Sequence, residues 1–391
     1  MNFWSQLPQP IMGLAPMDGM TDVVFRSIVA SQGTPDVMFT EFTHVSDICR
    51  GPEFLLASLL YGEHERPVVA QIYGKDPELF YTAAHVVCEL GFDGLDINMG
   101  CPSRNVASSG SGAALIKTPA LAHAIIQATR QGISDWAAGQ TPEATGLKPS
   151  RCEAIRRMNA ERREALPVPR RAIPVSVKTR LGYEASVINR WIEHLLKEEP
   201  AAITIHGRTL AQMYRGEADW MAIASAVEIA RGTATLILGN GDLQNMNDVI
   251  RRVRASRVNG VLIGRATLGV PWFFRHKERV RVACWNGHGE QTHATGLDEP
   301  GTINQRLSLM LDHARLFESL CGQAFFQRMR KHLGWYCRRF PRAAAMRARM
   351  FQASSLTDVE HTICDFFGEA VFREVQATSS RQSHATVDTC V

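Results

Sequence analysis

Residues 96–112 read Asp-Ile-Asn-Met-Gly-Cys-Pro-Ser-Arg-Asn-Val-Ala-Ser-Ser-Gly-Ser-Gly. An apolar run ends at Asn98, and Cys101 follows, set beside Pro102. A small-residue loop then runs to Gly112. Proline fixes the local backbone, and glycine lets a ligand come close. The pattern is that of a thiol at the rim of a binding site. Three roles are open to it. As a nucleophile it would need an activating base, and no histidine stands near it in the sequence. As a buried thiol it would be inert, like most cysteines. As a general acid it would need no tuning, since a thiol of pKa about 8.5 carries its proton at neutral pH.

Polar residues recur wherever a short apolar run ends. The eight runs are 11–15, 36–42, 67–73, 93–99, 174–179, 201–206, 234–239 and 260–264. At or just beyond their ends stand Pro16, Met17 and Asp18, then Glu41, Gln71, and Asn98 with Cys101. Lys178 and Arg180, His206, Asn240-Gly241-Asp242 and Gly264-Arg265 complete the series. One such residue would be unremarked, because a lone lysine is usually paired and a lone histidine usually satisfied. A complete ring of them points to a site built from strand ends.

Helix-length amphipathic segments alternate with the runs. Asp76-Pro77 opens one as N-cap and first-turn proline, and Gly91 closes it. This alternation predicts an α/β fold, a TIM (β/α)₈ barrel, followed by a small C-terminal helical bundle. A doubly wound sheet is the alternative, but its Gly-x-Gly-x-x-Gly is absent. Residues 1–283 form the expected barrel, with an insertion at about 132–172 that is charged and proline-containing. It reads as a solvated excursion, with a polyanion contact as the sharper alternative. Residues 284–301 read as a linker, 302–376 as the helical domain and 377–391 as a frayed tail.

In such a barrel the loops after strands seven and eight are the usual phosphate site. Here Asn240, Gly241, Asp242, Gly264 and Arg265 occupy it. Lys178 in the same mouth suits an anionic ring, while Gln71 and Asn98 offer amide groups to a flat heterocycle and Met17 an apolar surface. A phosphorylated planar cofactor fits, FMN better than a nicotinamide dinucleotide.

Composition narrows the classes further. The formal net charge is +4, and the nine cysteines form no Cys-x-x-Cys pair. A zinc site, another metal centre and a disulfide scaffold are therefore not expected. Free thiols fit a reducing compartment. No apolar run approaches the roughly 20 residues of a membrane span, and the N-terminal residues are too polar for a signal peptide. A cytoplasmic protein without membrane contact, and a monomer, are expected. Residues 325–350 carry Arg328, Arg330, Lys331, Arg338, Arg339, Arg342, Arg347 and Arg349 without one acidic residue. Such a one-signed run with Trp335 and Tyr336 between favours RNA over a merely solvated face.

At these residues the chain resembles the tRNA-dihydrouridine synthases. The resemblance rests on Ala15-Pro16-Met17-Asp18-Gly19-Met20, Gln71-Ile72, Asp96–Pro102, Val177–Arg180, Ile205–Thr209, Gly239–Asp242 and Ile263–Arg265. It continues at Gly269–Trp272 and Arg330–Tyr336, covers most of residues 11–370, and leans to the bacterial B branch. It implies reduction of the C5–C6 bond of uridine in tRNA, with FMN as cofactor and NADPH as reductant. Pro16, Met17, Asp18, Gln71, Asn98, Lys178, His206, Asn240, Gly241, Asp242, Gly264 and Arg265 would hold FMN. Cys101 would protonate C5. Asn98, Arg180, Arg328, Arg330 and Lys331 are the expected contacts to tRNA. The competing readings are an FMN barrel oxidoreductase acting on a free metabolite, and a non-catalytic RNA-binding protein.

Overall fold

The structure is a computed structural model that describes residues 2–163, 168–285 and 301–387. Most of the expected linker, and the last four residues of the expected tail, lie outside the described residues.

Nine strands form one parallel sheet: β1 (Ile11–Leu14), β2 (Met38–Phe39), β3 (Thr43–His44), β4 (Val68–Tyr73), β5 (Gly94–Met99), β6 (Val175–Arg180), β7 (Ala202–His206), β8 (Leu236–Asn240) and β9 (Gly260–Ile263). Their order, β1-β9-β8-β7-β6-β5-β4-β2, runs in one direction and brings the last strand beside the first. Leu14 N–H bonds to Val37 O, and Asp36 N–H to Met12 O, which joins β1 to the start of the second strand. The result is a nearly closed TIM barrel, not a doubly wound sheet.

The second run differs from the single strand expected over 36–42. β2 and β3 both pair with β4, and the chain breaks between them. The reason is local. The Gln71 N–H bonds to the Thr40 hydroxyl at 3.0 Å, where a carbonyl would continue the ladder. The break leaves Glu41 and Phe42 outside the ladder at the barrel's C-terminal end.

Helices cover the sheet: α1 (Val23–Gly33), α2 (Val45–Arg50), α3 (Pro77–Glu89), α4 (Arg104–Ser108), α5 (Pro119–Ala137), α6 (Pro149–Arg163), α7 (Ile188–Leu196), α8 (Trp220–Ala230), α9 (Met246–Ser256) and α10 (Lys277–Trp285). α3 starts as its sequence suggests, with the Asp76 carboxylate accepting from Glu78 N–H and Pro77 in the first turn. The residues from 132 to Ala137 belong to α5, so the excursion begins later than expected.

The excursion's charge is turned onto its own chain. Arg151 bonds to Gly51 O, Arg156 to Glu143, and Arg157 to Glu53. Arg162 reaches Leu90 O and Glu63 and lies 4.0 Å from the Tyr61 ring centre. Leu90 and Glu63 precede β5 and β4, so α6 lies at the barrel's N-terminal end, away from the strand ends that build the site.

After residue 301 the chain is helical: α11 (Ile303–Cys321), α12 (Arg330–Tyr336), α13 (Ala343–Met350) and α14 (Leu356–Val387), the last interrupted at Gly368. α14 runs past the boundary that the sequence reading sets at 376. These helices share their core with the barrel. Val24 of α1 and Trp272 pack with Leu307, Met310, Phe317, Leu333 and Met346. Phe25 sits 5.2 Å from His332 and 5.9 Å from His313, ring centre to ring centre.

Both histidines are fully enclosed, and burial lowers their pKa, to about 3 for His313 and well below the ordinary range for His332. An unfolded chain protonates them near pH 6.5 while the folded one does not. Their linkage therefore leaves stability intact above pH 6.5 and removes it as pH falls. The loss is roughly 2 kcal/mol per histidine between pH 6.5 and 5. Thermal melting of the protein should drop steeply across that interval, and His332→Phe should flatten the drop. An equal pH slope in the variant would refute this account.

Candidate active site

Alternating side chains of a strand point to opposite faces, so every second residue of β4, β5 and β6 faces the barrel axis. Asp96 of β5 is one of them and is fully buried. Its two carboxylate oxygens accept from Ser176 Oγ at 2.6 Å and Gln71 Nε2 at 2.7 Å. Gln71 Oε1 in turn accepts from Asn98 Nδ2 at 2.9 Å. Asn98 Oδ1 accepts from the backbone N–H groups of Gly100 (3.0 Å) and Cys101 (2.8 Å). A single line of hydrogen bonds thus runs from the barrel centre to the backbone of the thiol residue. Each amide orientation is fixed by its neighbour.

Cys101 itself is 7 % exposed. Burial raises its pKa above the ordinary thiol range, Asp18 adds to that, and the Ser103 N–H, Arg180 and Lys178 pull it back. The net effect keeps the proton on sulfur. Gly112 closes the loop behind it, where a Cβ would stand 3.3 Å from Cys101 Cβ and 2.9 Å from Val106. The inert and general-acid readings both require a protonated thiol.

Cations gather at the ends of β6, β7 and β9. Burial, then Lys178, Arg180, Arg208 and Arg265, lower the His206 pKa to about 2, so the ring is neutral. Lys178 is half-buried, and burial and Arg180 lower its pKa to about 8. Asp242 balances part of this charge. It accepts two bonds from Arg208 Nη2 at 2.9 and 2.7 Å, one from Ala218 N–H, and stands 3.7 Å from Arg265. Gly241, at φ 124°, has no room for a side chain: a Cβ would lie 2.8 Å from Ala218 Cβ and 3.1 Å from His206 Cδ2. Asn240 Nδ2 donates to Leu262 O. Met17 Sδ lies 3.2 Å from the position of a Gly264 Cβ, so the β1 and β9 ends meet there. Pro16 is partly exposed and Asp18 exposed at the same rim.

The candidates thus divide by what they touch. Cys101, Asn98, Lys178, His206, Gly241, Gly264, Arg265, Met17, Pro16 and Asp18 come together at one mouth. Gln71 is fully buried beneath it, with both amide ends engaged. Arg180 turns inward. Its Nε bonds to Gly100 O at 2.7 Å and its Nη1 to Thr209 O and Met213 O. It holds the thiol loop and the loop after β7 together. In the helical part Arg330 donates to Ala353 O and Gln352 O. Arg328 is exposed beside the exposed Phe325 ring. Lys331 reaches the loop after β1, with Nζ 3.1 Å from the position of a Gly19 Cβ.

Two residues carry more weight than their sequence positions indicated. Asp96 anchors the hydrogen-bonded line, and its place inside the Asp-Ile-Asn-Met run was the available signal. Glu41 stands in the mouth with Oε1 buried and unbonded among the described residues. Burial, then Asp22, raise its pKa to about 7, with Asp18 also raising it and Arg26 and Lys331 opposing. Removing the anchor should be costly. Asp96→Ala leaves Ser176 and Gln71 without an acceptor and frees Asn98 to turn. Urea denaturation should register a loss on the order of 3 kcal/mol. An unchanged midpoint would mean that the line does not hold the barrel centre.

Comparison with known proteins agrees with this geometry. The dihydrouridine synthase (Dus) family profile matches residues 13–135 and 151–376, leaving out part of the excursion. The chain is 36 % identical over 283 residues to a probable tRNA-dihydrouridine synthase 2 of Bacillus subtilis (strain 168), covering 71 % of this chain and 75 % of that one. It is 30 % identical over 372 residues to a probable tRNA-dihydrouridine synthase of Staphylococcus aureus (strain MRSA252), covering 93 % and 95 %. The match takes in the strand ends of the mouth and the helices beyond residue 301 alike, and this chain belongs to the dihydrouridine synthase family.

Proposed function

We propose that this protein reduces the C5–C6 bond of uridines in tRNA to give 5,6-dihydrouridine, with FMN as its cofactor and NADPH as reductant. The observation that carries the reading is the buried, protonated Cys101 facing a mouth in which Lys178, Arg180, Arg208 and Arg265 surround a neutral His206. The family membership of the chain, and the tRNA named in its relatives' descriptions, support the substrate.

The residues fit a flavin phosphate and ring. Gly241 is partly exposed and tolerates no Cβ, and beside it Arg265 keeps a largely exposed guanidinium. The Lys178 ammonium forms no ion pair with a carboxylate among the described residues, so its charge is available to an electron-rich ring. Pro16, Met17, Asp18, Asn98, Lys178, His206, Asn240, Gly241, Gly264 and Arg265 would hold the cofactor, with Gln71 and Asp242 fixing the groups that touch it. FMN, when bound, supplies the hydride for C6, and NADPH restores it.

What remains is proton chemistry by this chain. Hydride addition at C6 leaves C5 in need of a proton, and Cys101 Sγ holds one. Its backbone is fixed by Asn98, so the thiol is presented in one place. A uridine stacked in a tRNA would have to leave its stack to enter the mouth, at a few kcal/mol. Lys331 and Arg328 would contribute phosphate contacts that offset this. Such work belongs in the cytoplasm, and nothing in the site calls for a second copy of the chain.

The deciding experiment treats an unmodified tRNA transcript and free uridine with purified protein and NADPH, and measures dihydrouridine by mass spectrometry. Product in tRNA alone is expected. Reduction of a free metabolite with none in tRNA would overturn the proposal. Cys101→Ala should keep flavin and tRNA binding and lose at least about 100-fold in turnover. In the wild type the proton is needed on sulfur, so turnover should hold through neutral pH and fall as pH rises through the thiol's elevated pKa. Full activity in Cys101→Ala would remove the acid role.

A further inference from the structure

His206 ends β7 with Arg180 of β6 paired on one side and Asn240 of β8 on the other. It is 8 % exposed, and two residues later the chain turns Arg208 back against its ring. Arg208 Nη1 lies 3.5 Å from His206 Nε2, at the long end of hydrogen-bond reach. A guanidinium has donors and no acceptor, so the imidazole nitrogen facing it has to be the acceptor. A neutral imidazole has one N–H and one lone pair. With Nε2 accepting, the proton belongs on Nδ1, and among the described residues Nδ1 has no protein partner.

Arg208 is held in this contact from its far side. It is buried, at 2 % exposure, and its Nε donates to Arg215 O at 3.2 Å. Its Nη2 donates to Gly216 O at 2.5 Å and to both Asp242 oxygens. Asp242 is fixed in turn by accepting from Ala218 N–H at 2.7 Å. To stand there Asp242 takes a left-handed backbone, φ 52°, which is uncommon outside glycine and which aspartate tolerates. Gly241 passes the same edge of the ring, where a Cβ would stand 3.5 Å from Nε2. A carboxylate, a guanidinium and an imidazole thus form one line across the ends of β8 and β7.

A histidine that trades protons usually faces a carboxylate, which favours the imidazolium. Here the arginine stands between the ring and the carboxylate. Lys178 and Arg180 of β6 and Arg265 after β9 add positive charge around the same ring, and Asp242 spends its oxygens on Arg208 and Ala218.

We propose that Arg208, braced by Asp242, is the positioning residue that fixes His206 in the tautomer with its proton on Nδ1. The tautomer rests on these contacts alone, and its use in uridine reduction rests on the function proposed above. The ring then offers a bound flavin one hydrogen bond and no charge. It also has no free lone pair, so it cannot act as the base that a nucleophilic Cys101 would need. The thiol keeps its proton for the substrate.

Long-range proton–nitrogen NMR of holoenzyme isotope-labelled at histidine tests this, with the His206 signal identified by its loss in His206→Asn. The wild-type ring should show Nδ1 protonated and Nε2 bare, unchanged between about pH 8 and 5, where an ordinary histidine gains its second proton. Arg208→Gln presents an acceptor as well as a donor, and should show the other tautomer or a titration in that interval. Arg208→Lys keeps a donor-only cation and should restore the wild-type signal. A wild-type ring with its proton on Nε2, or one that titrates in the interval, would overturn the proposal without any variant. An Arg208→Gln signal identical to that of the wild type would remove Arg208 from the role. FMN affinity, read from flavin fluorescence, should fall about ten-fold in Arg208→Gln and little in Arg208→Lys. Equal affinity in all three would mean that the Nδ1–H does not serve the cofactor. Wild-type protein that forms no dihydrouridine would overturn the function and leave the tautomer standing.

Discussion

The buried carboxylate of Asp96 is the constraint on which the site depends. A carboxylate at the barrel centre is costly unless its lone pairs are used, and Ser176 and Gln71 use them. Burial still pushes its pKa up to about 6, with the two hydrogen bonds and Lys178 opposing. That arrangement fixes the Gln71 amide, which fixes Asn98, which fixes the backbone at Gly100 and Cys101. Arg180 grips the same Gly100 from the β6 side. The thiol's position is set from two strands at once, independently of the packing of the loop that covers it.

Electrostatics divides the mouth into two halves. On the β6, β7 and β9 side stand the arginines, Lys178 and a histidine held neutral by its burial first and then by them. On the β1 and β2 side stand Asp18, Asp22 and Glu41, with Lys331 as the nearby cation from the helices. An anion is drawn to the first half, and a group with protons to donate suits the second. Cys101 lies between, influenced by Asp18 from one side and by Arg180 and Lys178 from the other.

Much of this was legible before the coordinates. Apolar runs separated by amphipathic segments specify strands and helices, and polar residues at run ends specify a barrel mouth. The positions of Cys101, Lys178, His206 and Gly241 follow from that alone. What a side chain touches is not carried by its place in a run. Arg180 and Arg330 have the sequence signature of ligand contacts, yet both bond to backbone carbonyls that are remote in sequence. Asp242 lies in a loop suited to phosphate and also clamps Arg208. The break at Thr40 was hidden because a side-chain hydroxyl replaces a backbone acceptor without changing the β-like composition. Arg306 sits in an ordinary amphipathic helix, and only its burial beside Trp272 makes its charge conspicuous.

The shared core between α1 and the helical region limits which parts can be exchanged. Val24, Phe25 and Trp272 belong to the barrel by sequence, and to the C-terminal helices by contact. Gly269 comes so close to Trp335 that a Cβ there would lie 2.3 Å from its carbonyl oxygen. Neither part can be exchanged alone for a counterpart from another barrel or another helical module. A substitution on one side of this seam therefore has to be matched by one on the other.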